Sequence, residues 1–499
     1  MGWAKSVNKS CPTWLNDPSV PVCPDGTLVP ENYPMSMMVI SDAKIDGKSE
    51  SELYANKFVR DVVSETLLSS GNRPPRIVMP VSAKTYQDVV DMVKLMDIPP
   101  ATRDQYLAAL VHAPDAPAGL WQQDYQQPFI DAATGAPQVR FLDYSFGMGF
   151  VTEEKAVNLQ KIYAECGVRG GDALTAPRKP DGRLPSGAKG GNIEGIPGNI
   201  CAVGDATFSF EQWTTFTDQV CTGTKLLVPT KWLKVGHTDE VMKVVKDTKS
   251  PPPCDYAIQL ASPRKALEVL KKSPDDSFLD VGGTSSASGA KRLIQKTDGL
   301  SGLCLEFIKD RRSRPAAPAG PREAPATSQW IQLLFPQARA SLSEGILDAC
   351  VAMTNADVAR LLETDGRLKQ FNDLVQTKMN QLKVAIHGSV QFTGCDPRVI
   401  QVPNLFFGNA PIEKDGKFEL ANQSGLSILP NPTNSISNGS SVIYPRQINQ
   451  AFTRELKDVS SSLGVTARFV DSAFAAHPGD GNIHCRTMTM HACRPRGSK

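Results

Sequence analysis

A single cysteine closes a glycine-rich turn near the end of the chain, in the stretch Gly479-Asp-Gly-Asn-Ile-His-Cys485. Glycines allow a backbone to come close to a ligand, and this turn would present the thiol of Cys485 beside the imidazole of His484. The simpler interpretation is a turn followed by a strand with a buried cysteine, because a free cysteine usually behaves as a small hydrophobic residue. The stretch alone favours the simpler interpretation.

Two upstream stretches contain the groups that a thiol nucleophile would need. One is Val235-Gly-His-Thr-Asp-Glu240, in which His237 and Asp239 are two positions apart and would share one face of an extended segment. The other is Trp121-Gln-Gln-Asp124. The alternative for the first stretch is a capping turn that begins a helix near Glu240, with the histidine on the surface. The spacing alone does not decide between them.

Cysteine, histidine and two aspartates together could attack a guanidinium group. A guanidinium is planar and carries its donors in a fixed fork, which the carboxylates of Asp124 and Asp239 could match. A thiolate could attack its central carbon, and a histidine could protonate the departing ammonia and then deprotonate water. Since a free thiol has a pKa of about 8.5, the nucleophile needs a nearby cation or base.

The composition is ordinary for a globular protein. The chain has 499 residues, of which 40% are hydrophobic and 21% are charged, and its net charge is +2. This length suits several domains or one large domain of repeated units. No apolar run is long enough for a transmembrane helix, and the N-terminus lacks the apolar core of a signal peptide. We therefore expect no nucleic-acid partner and no membrane, with a cytoplasmic location by default and secretion left open.

The 11 cysteines are an odd number, so at least one is unpaired if the others form disulfides. Cys11 and Cys23 bracket a proline-rich loop and could pair in an oxidising compartment. A zinc cluster is an alternative use of residues near the C-terminus. Its ligands would be His484, Cys485, His491 and Cys493. Two adjacent ligands and a basic tail make a poor spacing for structural zinc.

Strands alternate with helices along most of the chain, which favours the α/β class. The predicted helices cover residues 51–70, 85–96, 240–246, 262–270, 329–385 with breaks near Pro336 and Asn355, and 447–463. The predicted strands cover residues 77–81, 139–143, 200–203, 224–229, 256–261, 399–407 and 467–470. Thr85 is predicted to cap the second helix.

The organisation of the chain suggests two regions. Residues 1–70 are expected to form an irregular N-terminal segment with one helix, and residues 71–499 the catalytic domain. Residues 171–191 are rich in Gly, Lys and Pro and are predicted to be a surface loop. Residues 311–328 are of low complexity, which predicts a flexible insertion. Whether residues 1–70 stand apart or complete the catalytic domain is left open.

Four motifs in the same order resemble the catalytic domain of peptidylarginine deiminases. They are Trp121-x-Gln-Asp124, Val235-Gly-His-Thr-Asp-Glu240, Leu260-Ala-Ser-Pro-Arg264 and Gly481-x-x-His-Cys485. Leu429-Pro-Asn-Pro-x-Asn434 also resembles the family's Pro-Asn segment upstream of the nucleophile. The resemblance covers most of the chain.

The resemblance implies an α/β fold of the pentein type, a pseudo-fivefold propeller of ββαβ units around a central site. It implies that Asp124 and Asp239 bind the guanidinium. His237 would be general acid and then base, Cys485 the nucleophile, and Trp121 a platform for the alkyl stem of the substrate. The implied reaction converts peptidyl-arginine to peptidyl-citrulline with release of ammonia, through a covalent thiouronium intermediate.

Several positions depart from the family's pattern and leave alternatives open. The family continues Cys-Gly-Thr-Asn after its nucleophile, whereas this chain has Cys485-Arg-Thr-Met488. The arginines that hold a peptide backbone are not found where they are expected, within 141–146 and at Gly479. The turn before the cysteine also resembles that of agmatine deiminases. The alternatives are therefore a deiminase of a small guanidine, agmatine or free arginine, and a catalytically degenerate pentein that acts as a binding module.

The resemblance also raises the question of calcium near the site. Of the family's ligands, Gln123 and Glu194 are present, whereas Tyr125 and Gln127 stand where carboxylates are expected. Because calcium prefers oxygen ligands with carboxylates prominent, we expect one weakened calcium site at most, and no organic cofactor. The expected partner is an arginine-containing protein or peptide, and a homo-oligomer is left open.

Overall fold

The computed structural model describes most of the chain. The described residues are 11, 17, 20–22, 28–43, 49–119, 121–131, 137–142, 152–175, 188–206, 208–280, 287–313, 342–364, 366–414 and 416–494. Of the predicted insertion, residues 311–313 fall in this part and end a helix. The rest of the insertion, Cys23 and the helix break near Pro336 lie outside it.

Strands of the described part are numbered in chain order. They are β1 Met35–Ile40, β2 Arg76–Met79, β3 Leu110–His112, β4 Gln126–Ile130, β5 Pro137–Leu142, β6 Arg169–Leu174, β7 Ile193–Ile196, β8 Ile200–Gly204, β9 Thr224–Val228, β10 Met242–Lys246, β11 Tyr256–Ser262, β12 Arg398–Pro403, β13 Phe406–Phe407, β14 Ile412–Lys414, β15 Lys417–Glu419, β16 Leu426–Ser427, β17 Ile436–Asn438, β18 Ser441–Pro445, β19 Thr466–Val470 and β20 Thr487–His491.

Helices of the described part are numbered in the same way. They are α1 Ser49–Ser70, α2 Ala83–Lys94, α3 Pro100–Ala109, α4 Glu153–Glu165, α5 Phe210–Val220, α6 Pro263–Lys272, α7 Ala287–Lys296, α8 Asp298–Ser313, α9 Glu344–Val351, α10 Asn355–Glu363, α11 Arg367–Val390, α12 Gln450–Ser462 and α13 Ile483–Arg486. The fold is mixed α/β, as the alternation in the sequence predicts. None of these helices combines the length and the apolar character needed to cross a membrane.

Local sequence signals begin several of these helices. The hydroxyl of Ser262 accepts a hydrogen bond from the backbone N–H of Lys265 at 3.0 Å, and Pro263 occupies the first position of α6. The predicted cap of α2 is wrong by three residues. Its N-cap is Ser82, whose hydroxyl accepts from the backbone N–H of Thr85.

Five sheets share one pattern of connection. In each, two strands pair antiparallel, and a third joins them in parallel after a helical crossover. These triplets are β4-β5-β6, β7-β8-β9, β10-β11-β12, β17-β18-β19 and β20-β1-β2. The last triplet joins the two ends of the chain, because β20 pairs with β1. The ββαβ order is thus present five times, and its closure into a propeller stays a prediction.

The triplet of β10, β11 and β12 has the longest crossover. Helices α7 to α11 follow α6 before the chain returns to β12. They enclose a hydrophobic cluster whose members include Phe278, Leu303 and Phe307, each at most 1% exposed. The sequence predicts one broken helix over part of this region, and the structure has the separate helices α9, α10 and α11 there.

Disulfide bonds link distant parts of the chain. They join Cys11 to Cys166, Cys201 to Cys221, Cys254 to Cys395 and Cys304 to Cys350, and Cys493 is also disulfide-bonded. The suggested pairing of Cys11 with Cys23 is therefore wrong, because Cys11 is bonded to Cys166. Cys485 is the free cysteine of the described part.

Three local predictions are corrected by the structure. Residues 242–246 form strand β10 and not a helix, because they pair with β11 and are buried almost throughout. Five residues with two lysines among them are too few for their hydrophobic spacing to distinguish a strand from a helix. Residues 35–40, expected to be irregular, form the fully buried strand β1. Within the predicted surface loop 171–191, the first residues continue β6 and residues 190–192 form a buried 3-10 turn.

Candidate active site

The segments that lead into the five repeated units meet at one place. Each of these leading segments is the short stretch before the first strand of its triplet. They are residues 121–125, 189–192, 237–240, 431–434 and 483–485. Hydrogen bonds join neighbours in this set. The hydroxyl of Thr238 donates to the carbonyl of Asn192 at 3.0 Å, and the amide of Asn431 donates to the carbonyl of Glu240 at 2.7 Å.

Further contacts close the ring of leading segments. The backbone N–H of His484 donates to the carbonyl of Asn434 at 3.4 Å. Gly190 packs so closely on the next segment that a Cβ there would lie 2.0 Å from the carbonyl oxygen of Gln123. A Cβ on Gly481 would lie 2.5 Å from the indole of Trp121. Glycine is therefore required at both junctions, and the five segments surround a common centre.

The four residues predicted to be catalytic lie at this centre. The functional atoms of His237, Asp239 and Cys485 lie within 4.8 Å of one another, and the Cys485 Sγ is 3.5 Å from Asp239 Oδ2. Asp124 Oδ1 is 3.8 Å from His237 Nδ1. Each of the four residues is at most 4% exposed. Residues more than 350 positions apart are thus brought together as the sequence motifs require.

Each aspartate has one oxygen paired and one open. Asp124 Oδ2 is 3.0 Å from the ammonium of Lys189, and Asp239 Oδ2 is 2.7 Å from Nδ1 of His484. The Oδ1 atoms of both aspartates have no hydrogen-bond partner among the described residues, and neither does either ring nitrogen of His237. Buried polar atoms are normally satisfied. This site is therefore built to receive a ligand with several N–H donors.

The electrostatics of the site keep the thiol of Cys485 neutral at rest. Burial raises the pKa of the Cys485 thiol well above its usual value, and the carboxylates of Asp239 and Asp124 raise it further. The amide of Asn434, which donates to the sulfur at 3.0 Å, acts in the opposite direction. Burial lowers the pKa of His237, so its imidazole is neutral at neutral pH. A cation bound beside the thiol would attract the thiolate and so counter the repulsion from the two carboxylates.

Trp121 lies beside the nucleophile. Its indole packs on Gly481, and the Cβ position of that glycine is only 3.3 Å from Cys485 Cβ. The indole is half-buried, so one part of it faces outward. An apolar surface next to the thiol suits the aliphatic stem of a guanidine ligand.

Lys189 belongs to the site, although the sequence assigns it to a surface loop. Its ammonium is 3.0 Å from Asp124 Oδ2, and its side chain is only 15% exposed. Gly190 and Gly191 follow it and let the backbone approach Gln123 and His237 closely. The Gly-Gly pair is the one sequence signal that could have identified this segment as part of a site.

A second buried cluster lies against Asp239. His484 Nε2 is 2.7 Å from Glu31 Oε1, Lys243 forms an ion pair with Glu31, and Lys243 Nζ is 3.7 Å from Glu194 Oε1. Sequence reasoning missed Glu31 and Lys243. The signal for Lys243 is a charged residue between two apolar ones, Met242 and Val244, whereas nothing in the sequence around Glu31 marks it.

The predicted calcium ligands do not fit a calcium site in this arrangement. Glu194 faces the ammonium of Lys243, and burial raises its pKa to about 7. The amide of Gln123 donates to Gln127 at 3.4 Å. Calcium requires six to eight oxygens with little competing positive charge. The zinc alternative is also wrong, because Cys493 is in a disulfide and has no thiolate to offer.

No protein-family model and no curated protein matches the chain. Several solved structures resemble it at low identity. A protein provisionally assigned as a peptidyl-arginine deiminase aligns with 94% of this chain and 99% of its own, at 10% identity and a TM-score of 0.48. C. jejuni agmatine deiminase aligns with 94% and 97%, at 10% identity and 0.45. Agmatine deiminase of Enterococcus faecalis aligns with 94% and 96%, at 11% identity and 0.42.

Proposed function

We propose that this chain is a hydrolase that converts a guanidino group to a ureido group, with peptidyl-arginine as substrate and peptidyl-citrulline and ammonia as products. One observation carries the proposal: two buried carboxylates, Asp124 and Asp239, each keep one oxygen without a partner among the described residues and lie at the same centre as the buried thiol of Cys485, whose sulfur is 3.5 Å from Asp239 Oδ2. A guanidinium supplies a positive charge and several N–H donors in one plane, which is what two open carboxylate oxygens require. The aliphatic stem of the substrate would then lie along Trp121.

In the first half of the reaction, a C–S bond forms and a C–N bond breaks. The thiol of Cys485 gives its proton to His237 and the sulfur adds to the guanidinium carbon, which the two aspartates hold in place. His237 then gives the proton to the departing nitrogen, which leaves as ammonia. The product of this half is a positively charged thiouronium on Cys485.

In the second half, water replaces the sulfur. His237 accepts a proton from water as the oxygen adds to the thiouronium carbon. The C–S bond breaks, the sulfur regains a proton, and the one remaining proton is released to solvent, where the ammonia from the first half takes it up as ammonium. A cavity of about 20 Å³ has room for one water, and its lining includes Asn434, whose amide donates to the Cys485 sulfur.

A small free guanidine, such as agmatine or free arginine, is the second candidate substrate. It is favoured by Gly479, which stands where the peptidylarginine deiminases resembled by this sequence are expected to have a peptide-holding arginine. Gly479 lies in a short turn and has no side chain that could hydrogen-bond to a peptide backbone. Loss of catalysis with retention of binding is the third possibility, and the same experiment separates all three.

The test is citrulline or ureido formation from a blocked arginine peptide, free arginine and agmatine. Each substrate is supplied with calcium and with a chelator, and Cys485→Ser is the blank. Turnover of the peptide that vanishes in the variant supports the proposal, and turnover of the small guanidines alone moves the chain to the second candidate. A folded protein that is inactive in every condition would overturn the proposed catalysis.

We also propose that the protein matures in an oxidising compartment. The four disulfides whose cysteines both lie in the described part join positions up to 155 residues apart, and such bridges are unusual in a reducing cytosol. The cytoplasm, our default from the sequence, rests on the lack of a visible export signal, whereas the bridges are a positive feature of the fold. Localisation of the tagged full chain would decide between the two.

A further inference from the structure

The imidazole of His484 lies between two carboxylates inside the protein. Its Nδ1 is 2.7 Å from Asp239 Oδ2, and its Nε2 is 2.7 Å from Glu31 Oε1. An ionised carboxylate only accepts hydrogen bonds, so both ring nitrogens must donate, and the ring must carry both protons. His484 is fully buried, so solvent does not compete for either contact.

The neighbouring charges are consistent with this state of the ring. Burial acts to raise the pKa of Glu31, but Lys243 and His484 outweigh it and hold that pKa well below its usual range. Glu31 is therefore ionised, accepts a hydrogen bond from the imidazole and forms an ion pair with Lys243. The other titratable groups that face the ring are Glu194, at 4.0 Å from Nε2, and the more distant His237 and His491.

We propose that His484 is a positioning residue that bridges Glu31 to Asp239 and fixes the carboxylate of Asp239 for the substrate. The bridge occupies Oδ2 and leaves Oδ1 open, so it decides which oxygen faces the guanidinium. His484 acts through Asp239 and does not itself touch the reacting atoms. The inference rests on the proposed function, because it takes Asp239 as a guanidinium ligand.

The bridge makes the site depend on the N-terminal segment. Glu31 lies four residues before strand β1, which is held between β20 and β2. The same bridge reaches the nucleophile, because Asp239 Oδ2 is also 3.5 Å from Cys485 Sγ. Removing the acceptor on Glu31 would therefore free the imidazole, and with it the carboxylate of Asp239, without altering any group that touches the substrate.

Lys243 supplies a positive charge where a metal could otherwise lie. The ligand atoms of Glu31, Glu194 and His484 lie within 4.8 Å of one another, which is a spacing that a metal could use. The ammonium of Lys243 contacts both carboxylates of this group. We therefore expect the bridge to form in metal-free buffer containing a chelator.

The first test detects the His484 bridge in the absence of substrate. Histidine-selective ¹⁵N NMR of the wild-type protein at neutral pH, in chelator, should contain a ring with both nitrogens protonated, and this signal should be absent from His484→Asn. His477 and His491, whose pKa values burial lowers, supply buried neutral references in the same spectrum. A singly protonated His484 ring would overturn the proposal.

The second test measures the effect of the bridge on ligand affinity. In the Cys485→Ser background, affinities are measured for a blocked arginine peptide and for the matching citrulline peptide, in which an uncharged ureido group replaces the guanidinium. Glu31→Ala should lower the ratio of the two affinities about tenfold, because a misoriented carboxylate loses its advantage for the cation. Glu31→Gln keeps an acceptor for Nε2 and should recover part of that ratio.

Controls separate the bridge from general damage to the fold. Glu65→Ala removes a carboxylate from α1 that pairs with Arg468 at 2.9 Å, outside the site, and should leave the ratio unchanged. Equal loss of affinity for both ligands in Glu31→Ala, or an unchanged ratio, would overturn the positioning role. If the parent protein binds neither ligand, the proposed function fails, while the NMR result still decides whether the bridge exists.

Discussion

The ammonium of Lys189 lies 3.0 Å from Asp124 Oδ2, so a resident cation already occupies one oxygen of a carboxylate proposed to bind a guanidinium. Asp239 has the same arrangement with His484. In both aspartates the resident cation holds one oxygen and leaves the other open. The site therefore presents one open oxygen from each aspartate. A substrate cation that binds Asp124 must come close to the positive charge of Lys189.

Replacing Lys189 by methionine should strengthen the binding of cationic guanidines. The change keeps the length of the side chain and removes the competing charge, so we expect KM for a blocked arginine peptide to fall about tenfold, equivalent to about 1.4 kcal/mol. The value of kcat should change far less, because Cys485 and His237 are untouched. Steady-state kinetics of the purified variant would measure both constants.

A matched control for that variant is Lys225→Met, which breaks a surface ion pair with Asp218. It should leave KM unchanged. A rise in KM for Lys189→Met would contradict the competition and would instead indicate that Lys189 orients Asp124 for the substrate.

Substitution of Gly191 by alanine should impair catalysis. A Cβ at this position would lie 2.8 Å from His237 Nδ1 and 3.1 Å from Asp239 Oδ2, so both side chains must shift. Displacements of this size near reacting atoms lower rates by about tenfold to a hundredfold. The comparison variant is Gly388→Ala in α11, where a Cβ meets nothing within 4 Å and should stabilise the helix by about 1 kcal/mol. Equal kcat values in the two variants would contradict the prediction.

The thiol of Cys485 should react selectively with an amidine-based electrophile. Such a reagent carries the planar charged group that Asp124 and Asp239 are proposed to hold, and Cys485 is the free cysteine of the described part. A neutral reagent such as iodoacetamide should label it slowly, because burial keeps the thiol protonated. Intact-mass spectrometry would follow both reactions, with Cys485→Ser as the blank. Labelling by both reagents at equal rates would exclude recognition of the amidine.

The free energy of unfolding should fall as the pH rises from about 6.5 to about 9. The folded state raises the pKa of His484 to about 9, although burial and Lys243 act to lower it, because Glu31 and Asp239 stabilise the imidazolium. A raised pKa stabilises the fold fully below the unfolded value and loses that contribution as the pH passes the folded value. The loss from this residue is on the order of 3 kcal/mol.

Urea unfolding of the wild type and of His484→Asn across this range would measure the loss. The variant should show a much shallower dependence on pH. His477→Asn is the matched control, because burial lowers the pKa of His477 and places its own contribution on the acid side of the range. A steep alkaline loss that persists in His484→Asn would assign the effect to other groups.

Reducing agents should destabilise the protein while leaving the residues of the site chemically unchanged. The bridges close loops of 20 to 155 residues, and each is expected to contribute about 3–5 kcal/mol to stability. Peptide mapping without reduction should recover the pairs Cys11–Cys166, Cys201–Cys221, Cys254–Cys395 and Cys304–Cys350. Thermal melts with and without dithiothreitol should differ by many degrees. Additional free thiols at these positions in denaturant would contradict the pairing.

Local patterns in the sequence were sufficient for much of the secondary structure. The helical spacing over residues 51–70 corresponds to α1, and the capped helix after Ser262 corresponds to α6. Strand β10 was mistaken for a helix because five residues, Met242–Lys246, are too few for their hydrophobic spacing to show a period. Strand β1 was missed because its pairing partner β20 lies at the other end of the chain. In both cases the pairing with another strand decided the structure.

By itself, the sequence determined which residue types stand in which local motifs. The spacings in Trp121–Asp124, His237–Asp239 and His484–Cys485 are fixed by the order of the chain, so the candidate nucleophile, base and carboxylates could be named from it. Tertiary structure alone decided that Glu31, Lys189 and Lys243 share their site. A contact between segments hundreds of residues apart leaves no local pattern, and the charge of a buried group depends on neighbours that only the fold supplies.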